Sequence, residues 1–433
     1  MTKKSPLRIG IDARMYSAAF TGIGRYVFEL TQRLFKRSEN EAIEWTLFMN
    51  EPEFNAFSPP NDWVKKVLVN AKHYSWAEQV RFLKILNREK LDLMHFTHFN
   101  APLFYRRPSV VTIHDLTLSF YPGKKMRSPI HRLAYHWVLN AVVRHARGII
   151  TVSKHTRKDL VHLIKVPESK IQVIYEAAGE EFRVLNDKKL IENTLKHLRI
   201  DRDFILYTGV WRDHKNLVRL IQAFATLCEK PTFDGLLVIT GREDPFYPEV
   251  KATIQKLGLE KRVVLTGLVS ERDLVVLYNA ARFYVLPSLY EGFGLSPLEA
   301  MACGTPVAAS NTSCIPEVCG EKNALFFDPY KIEDMARVLE SLWENSGLRD
   351  TLSKRGLQHI HDFSWDKMAE ETFEFYKKSL GHSRIQLGSE ISLPGVKFFR
   401  ILWADFNSLD KGQVRGFAKN FEKSQPRCGA RTF

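Results

Sequence analysis

The chain has 433 residues, of which 45% are hydrophobic and 26% are charged. This balance is typical of soluble, core-forming proteins, and the length favours two domains over one. The chain contains no apolar run of 18 residues, so no transmembrane helix is predicted. The N-terminal segment lacks the features of a secretory signal. Five scattered cysteines form no zinc or disulfide pattern, so we expect a cytoplasmic protein with reduced thiols.

Positive charge is concentrated in the first part of the chain. The net charge is +14, and residues 1–183 hold 29 Lys and Arg against 17 Asp and Glu. This asymmetry indicates an anionic partner, such as a membrane surface, a phosphorylated acceptor or nucleic acid, or else merely solvated helix faces. The chain has no RNP, KH or zinc-finger pattern, so we do not expect nucleic-acid binding.

Short β-branched runs alternate with longer helical stretches along the chain, which predicts parallel sheets covered on both faces. The first series of strands is predicted at 7–12, 45–49, 93–95, 109–113, 148–152 and 171–175. The second series is predicted at 204–208, 236–240, 263–266, 283–286 and 306–309. We therefore expect two Rossmann-like, doubly wound domains, at 1–183 and 184–363.

Two further segments are predicted at the ends of these domains. A glycine-containing turn at 21–25 should follow the first strand and lead into a helix at 26–35. Residues 364–381 read as an amphipathic helix with Ser364 as its N-cap. The basic tail, 382–433, shows weak periodicity and is expected to be poorly ordered.

The stretch from 285 to 307 carries the clearest chemistry. A strand should end there and a helix begin, with Gly294 allowing close backbone approach and Ser296 able to cap the helix. A helix start of this kind suits a diphosphate. Glu291 and Glu299, eight residues apart, could accept hydrogen bonds from sugar hydroxyls on either side. The alternative is a glycine-rich connection with ordinary helix-start glutamates.

This element resembles the donor-site signature of retaining GT-B glycosyltransferases of the family-4 type, and the resemblance covers residues 7 to about 380. It implies two facing Rossmann-like lobes with the active site in the cleft between them. The C-terminal lobe of that family binds the nucleotide sugar. A final helix crosses back to the N-terminal lobe, and residues 364–381 match it.

The same resemblance implies roles for individual residues. Glu291 would be catalytic and contact the hydroxyls of the transferred sugar, and Glu299 would contact the ribose. The backbone at Gly294, Leu295 and Ser296 would meet the phosphate and sugar of the donor.

A second element, at 207–217, resembles the family's strand, glycine and Lys-Asn segment. The resemblance implies that Gly209 lies in the donor site and that Lys215 neutralises the diphosphate. Many members carry an arginine directly after the glycine, whereas this chain has Val210, and Arg212 is the candidate substitute. No D-x-D pair follows a strand in a plausible donor site, so we expect no metal and no cofactor beyond the nucleotide-sugar co-substrate.

The first domain contributes further candidates. Gly24, in the Gly-Ile-Gly-Arg run, resembles the family's loop near the donor phosphates and the acceptor. His114, at a strand end, resembles the family's cleft histidine and is predicted to be catalytic by hydrogen bonding a sugar hydroxyl. Another strand end carries His95, His98 and Asn100, and these three residues are expected to line the cleft or to be structural. Ser153 matches a family segment without a clear role.

The expected reaction is metal-independent hexosyl transfer with retention, from a nucleotide-diphosphate sugar to a saccharide or lipid-linked acceptor. The local sequence resembles mannosyltransferases of surface polysaccharide or glycolipid synthesis, which would place the chain at the inner face of the cell membrane. Alternatives are a GT-B nucleotide-sugar epimerase, a sugar phosphorylase, or a basic RNA- or membrane-binding protein without catalysis. The sequence leaves the sugar, base and acceptor open.

Overall fold

A computed structural model describes residues 6–16, 22–123 and 129–381, which form two parallel sheets. The first sheet contains β1 (Leu7–Asp12), β2 (Ile43–Met49), β3 (Val64–Leu68), β4 (Leu93–Phe96), β5 (Ser109–Ile113), β6 (Gly148–Thr151) and β7 (Ile171–Val173). The second contains β8 (Phe204–Thr208), β9 (Leu236–Thr240), β10 (Val263–Gly267), β11 (Phe283–Leu286), β12 (Val307–Ser310) and β13 (Leu325–Phe327). The predicted tail lies outside the described residues.

Helices connect the strands and cover both sheets. In the first lobe they are α1 (Gly22–Glu41), α2 (Glu53–Ala56), α3 (Leu83–Glu89), α4 (Thr117–Phe120), α5 (Pro129–His145) and α6 (Lys154–Asp159). In the second they are α7 (Lys188–His197), α8 (Leu217–Cys228), α9 (Glu249–Lys256), α10 (Glu271–Ala280), α11 (Leu295–Ala302), α12 (Ile315–Cys319), α13 (Ile332–Glu344) and α14 (Ser346–His359). The last described helix is α15 (Trp365–Gly381). No helix within the described ranges is long and apolar enough to cross a bilayer.

The strand orders make both sheets doubly wound. They are β3-β2-β1-β4-β5-β6-β7 and β10-β9-β8-β11-β12-β13, and neighbouring strands are parallel throughout. The winding direction reverses between β1 and β4 in one sheet and between β8 and β11 in the other. Ligands of such sheets bind at the carboxyl ends of the strands at this reversal. The predicted fold class is confirmed.

Every strand predicted above is present, but β3 and β13 were missed. Both lie at a sheet edge, where the strand has a neighbour on one side only and its side chains are less completely covered. The β3 sequence contains two lysines, and β13 has only three residues. Neither pattern is distinguishable from a loop by periodicity alone.

The predicted turn at 21–25 is wrong, because α1 already includes Gly22 and continues to Glu41. Gly24 and Arg25 are buried in its first turn. Tertiary packing there outweighs the helix propensity lost at the two glycines, which is about 1 kcal/mol each.

The last helix packs on the first lobe. Ser364 Oγ accepts hydrogen bonds from the amides of Asp366 and Lys367, at 3.2 and 3.4 Å, which confirms the predicted N-cap. Tyr376 is fully buried, and its hydroxyl lies 2.6 Å from His95 Nδ1 at the centre of the first sheet. His95 is therefore structural, with its other ring nitrogen 2.8 Å from the Thr112 hydroxyl.

Candidate active site

The two motif loops of the second lobe meet at its winding reversal. The loop with Lys215 follows β8, and the loop with Glu291 follows β11. The Leu289 amide donates to the His214 carbonyl at 2.7 Å, and the Asn216 side chain donates to the Pro287 carbonyl at 3.0 Å. These bonds hold the two loops side by side, so that Lys215 and Glu291, 76 residues apart in the chain, lie on one surface.

Lys215 and Glu291 form an ion pair at the junction of the loops. The ammonium nitrogen lies 2.7 and 2.9 Å from the two carboxylate oxygens, and the side chains are only 19% and 13% exposed. Ser288 Oγ donates to Glu291 Oε1 at 2.6 Å. Burial opposes ionisation of this carboxyl, but Lys215 and the hydrogen bonds outweigh it and lower the pKa of Glu291. The site therefore holds a fixed anion beside a fixed cation.

Helix α11 begins beside this pair. Gly294 is its N-cap with φ +90°, a conformation that favours glycine. Ser296 is the second helical residue, so the prediction that it caps the helix is wrong, and its hydroxyl interacts with Tyr284 instead. The first amides of a helix have no intrahelical acceptor and carry partial positive charge. The backbone at Gly294, Leu295 and Ser296 can therefore bind an anion.

Glu299 lies within α11, eight residues after Glu291 in the chain. The Tyr278 hydroxyl donates to Glu299 Oε2 at 2.9 Å. Burial raises the pKa of Glu299 although Tyr278 and Arg25 oppose the shift. Tyr284 interacts with both glutamates, so the structure brings Glu291, Glu299 and Lys215 into one region.

Arg212 and Gly209 lie on the loop after β8. The Arg212 guanidinium pairs with Asp244, and its carbon lies 5.7 Å from the Tyr247 ring centre. Gly209 has φ +144°, and its carbonyl oxygen would lie 2.1 Å from a Cβ on Gly241. The backbones at Gly209 and Gly241 are therefore in contact beside the site. The role of Arg212 as a substitute for the usual arginine stays a prediction.

His114 lies at the carboxyl end of β5, against Gly292 in the second-lobe loop that carries Glu291. Its Nδ1 is 3.1 Å from Glu176 Oε1, and its Nε2 donates to the Thr97 carbonyl at 2.9 Å. Both ring nitrogens thus have protein partners, and the side chain is 9% exposed. Its predicted bond to a sugar hydroxyl would require one of these contacts to be exchanged, and that role stays a prediction.

The two lobes touch beside the site. The Ser153 hydroxyl donates to the Gly292 carbonyl at 2.7 Å. Ser153, whose role was open from the sequence, therefore joins the two lobes. A Cβ atom on Gly292 would lie 2.0 Å from the His114 carbonyl oxygen. Glu317 of the second lobe accepts the amides of Lys154 and His155, at 2.7 and 3.1 Å. The lobes are thus in direct contact around the predicted cleft.

Arg25 forms a second bridge that sequence reasoning missed. It follows Gly24 in α1, and its guanidinium lies 2.5 Å from Glu181 and 2.7 Å from Glu271. Glu271 begins α10 in the second lobe. In the Gly-Ile-Gly-Arg run the family resemblance concerns the glycines, but a buried arginine needs carboxylate partners, and that requirement could have singled out Arg25.

Among residues 6–16, 22–123 and 129–381, no three His, Cys, Asp or Glu side chains group in a way that could hold a metal ion. Independence from metal stays a prediction.

Comparison with known proteins identifies the architecture. The model of glycosyl transferases group 1 matches residues 191–359, and that of glycosyltransferase family 4 matches residues 20–178. O-antigen chain mannosyltransferase B of Escherichia coli is 28% identical to this chain over 372 residues, which cover 82% of this chain and 96% of the relative.

Two solved structures have the same fold at low identity. Sucrose-phosphate synthase from Thermosynechococcus elongatus has a TM-score of 0.70 at 20% identity, covering 88% of this chain and 100% of that one. Anabaena HepE in complex with UDP-glucose has a TM-score of 0.64 at 17% identity, covering 86% and 99%. Because the two family models together account for both lobes, the chain belongs to the GT-B glycosyltransferases of group 1 and family 4.

Proposed function

We propose that this glycosyltransferase transfers a hexose, mannose by analogy with its relatives, from a nucleotide-diphosphate sugar with retention of configuration and without a metal. The observation that carries the proposal is the Lys215–Glu291 pair at the start of α11. Glu291 would bind the transferred sugar, and Glu299, within α11, would bind the ribose. The E. coli relative named as an O-antigen chain mannosyltransferase supports a role in surface polysaccharide synthesis.

Lys215 and the first amides of α11 would stabilise the leaving diphosphate. Fixed donors of this kind act where negative charge develops and need no reorganisation during the reaction. Their positive potential is what a metal supplies in other transferases. Arg212 would add to it only by leaving Asp244.

The bonding of the two glutamates argues against a covalent intermediate as the route to retention. A retaining glycosidase places one carboxylate as a free nucleophile, whereas here Glu291 is paired with Lys215 and Glu299 accepts from Tyr278. We therefore favour departure and attack on the same face of the sugar. The acceptor oxygen forms the new bond to the anomeric carbon as the bond to the diphosphate breaks, and the diphosphate takes the acceptor's proton.

The basic first lobe supports contact with an anionic membrane, where a lipid-linked acceptor would be found. Sedimentation with liposomes tests this point. Vesicles containing phosphatidylglycerol should carry the protein down at low salt, whereas neutral phosphatidylcholine vesicles should not. Equal sedimentation with both would contradict the charge argument.

Thermal-shift measurements with UDP-, GDP-, ADP- and dTDP-sugars would identify the donor, because a ligand that binds only the folded state raises its melting temperature. With that donor, Glu291→Gln and Glu299→Ala should lose most of the turnover while keeping the fold. Glu260→Gln, at an exposed position, is the control. Unchanged turnover in both site variants, or epimer formation without acceptor, would refute the proposal. The anomeric proton of the product, followed by NMR, reports retention.

A further inference from the structure

The loop after β4 buries a side-chain amide that has no partner. Asn100 is 1% exposed, and neither its Oδ1 nor its Nδ2 meets a hydrogen-bond partner among the described residues. Tyr74 interacts with the amide without hydrogen-bond geometry. An unsatisfied buried polar group costs about 1–3 kcal/mol, so its presence calls for an explanation such as a ligand that supplies the missing bonds.

Asn100 is at the winding reversal of the first sheet. It follows β4, whose neighbour is β1, and this is where doubly wound sheets bind ligands. Its backbone is fixed from both sides: Arg14, after β1, donates to the Asn100 carbonyl at 3.2 Å, and the Asn100 amide donates to His98 Nδ1 at 3.3 Å. The loop is therefore held in place although its side chain is not bonded.

The groups around Asn100 offer hydrogen bonds without net positive charge. The Arg14 guanidinium is neutralised by Asp12 at 2.7 Å and by Glu78 at 2.8 Å. Burial lowers the pKa of His73 to about 4 and that of His98 well below its usual value, so both imidazoles are neutral at pH 7. A phosphate group would find no free cation among these side chains.

Aromatic rings flank the same cluster. The Phe99 ring centre lies 4.2 Å from that of His98, 5.3 Å from that of Tyr135 and 6.2 Å from that of Tyr74. Tyr74 is 46% exposed. Apolar rings beside a few polar groups are the composition of small-molecule sites, and a sugar presents both C–H faces and hydroxyls to such a lining.

Asp115 connects this cluster to the donor site. Burial raises the pKa of Tyr74 and Tyr135, and the Asp115 carboxylate adds to both shifts; burial lowers the pKa of His214 to about 4, and Asp115 opposes that shift. Its Cβ would be 2.7 Å from a Cβ on Gly292. The cluster therefore lies across the lobe contact from the loop that carries Glu291.

We propose that Asn100, with His73, His98 and Tyr74, forms the acceptor subsite, and that it binds an uncharged sugar residue rather than a phosphate. The inference rests on the proposed function, since it names the chemistry of the acceptor in the same reaction. The Asn100 amide would donate to one hydroxyl and accept from another, and the neutral imidazoles would complete the contacts.

The test compares two asparagines of the same lobe. Asn100→Ala removes the unpartnered amide, whereas Asn50→Ala removes an amide paired with both the carbonyl and the amide of Ala71. Saturation-transfer NMR on the full chain would use methyl α-mannoside as the neutral probe and mannose 1-phosphate as the charged one. Thermal unfolding and nucleotide-induced thermal shifts would be measured on the same samples.

Asn100→Ala should bind methyl α-mannoside about tenfold more weakly, as expected for two lost hydrogen bonds, with a melting temperature equal to or above that of the wild type. Asn50→Ala should melt lower and keep sugar binding. Equal binding by wild type and Asn100→Ala, no binding by wild type, or preference for mannose 1-phosphate would overturn the inference. If the wild type still shows a nucleotide-induced thermal shift in that case, the proposed function stands. If the wild type shows no thermal shift with any nucleotide sugar, the result counts against the function itself.

Discussion

Adding one methyl group at Gly292 should separate the lobes. A Cβ there would lie 2.0 Å from the His114 carbonyl oxygen and 2.7 Å from Asp115 Cβ, whereas ordinary contact begins at 3.4 Å. The lobes must therefore move apart by about 1.4 Å at this point, because backbone atoms cannot rotate away. Gly292 has no positive φ, so alanine adds no backbone strain and the effect reports the lobe contact alone.

Displacements of about 1 Å can cost about 100-fold in rate, and we expect Gly292→Ala to lose transfer by that order. The rate of acceptor-dependent nucleotide release would measure the loss. The donor-induced thermal shift would check that the second lobe still binds the nucleotide sugar. Gly347→Ala is the control, since its Cβ would meet only the Asn345 side chain at 3.5 Å. Wild-type transfer by Gly292→Ala would show that the lobe contact is not part of the active state.

Three further predictions concern stability. Lys215→Ala leaves the Glu291 carboxylate without its cation and should lower the free energy of unfolding by about 2–3 kcal/mol, just under the range for fully buried pairs. Burial and the neighbouring Glu271 carboxyl raise the pKa of Glu181 from 4.5 to about 7. The folded chain then holds a proton that the unfolded chain has lost, so stability should fall as pH rises from 4.5 through 7, and Glu181→Gln should remove that slope. Tyr376→Phe leaves His95 Nδ1 unpaired and should cost about 1–3 kcal/mol in urea unfolding.

Each of these has a matched comparison. Adding Glu291→Gln to Lys215→Ala should restore much of the lost stability, and no recovery would contradict the ion-pair explanation. A slope unchanged by Glu181→Gln would refute the assignment to that carboxyl. Tyr330→Phe, which loses only an exposed contact with the Tyr121 hydroxyl, should stay within about 0.5 kcal/mol of wild type.

The sequence predicted the central strands because their pattern reflects burial on both faces. It missed β3, which carries two consecutive lysines, and β13, which has only three residues, whereas the edge strands β7 and β10 lie in longer β-branched runs and were predicted. The start of α1 was wrong for a related reason. Packing around Gly24, between lobes distant in sequence, decides that helix, and local propensity does not record it.

The candidate site shows the same division. Lys215 and Glu291 could be chosen from motifs, because each stands next to a strand end where parallel sheets bind ligands. The partners that fix them could not: the pairing of Arg212 with Asp244, or of His114 with Glu176, joins residues that only the folded chain brings together. Ser296 was misassigned as a cap because a glycine N-cap leaves no side-chain signal.

Translation from the N-terminus leaves the first lobe unfinished until the last described helix has emerged. Trp365, Phe373 and Tyr376 fill its core beside β1 and β2, yet the whole second sheet is made in between. At ordinary synthesis rates the interval from Val173 to Tyr376 is on the order of 10–40 s. The nascent chain therefore presents to chaperones the apolar surface of α1 and of the sheet that this helix later covers, and a separately expressed first lobe would need the helix grafted onto it.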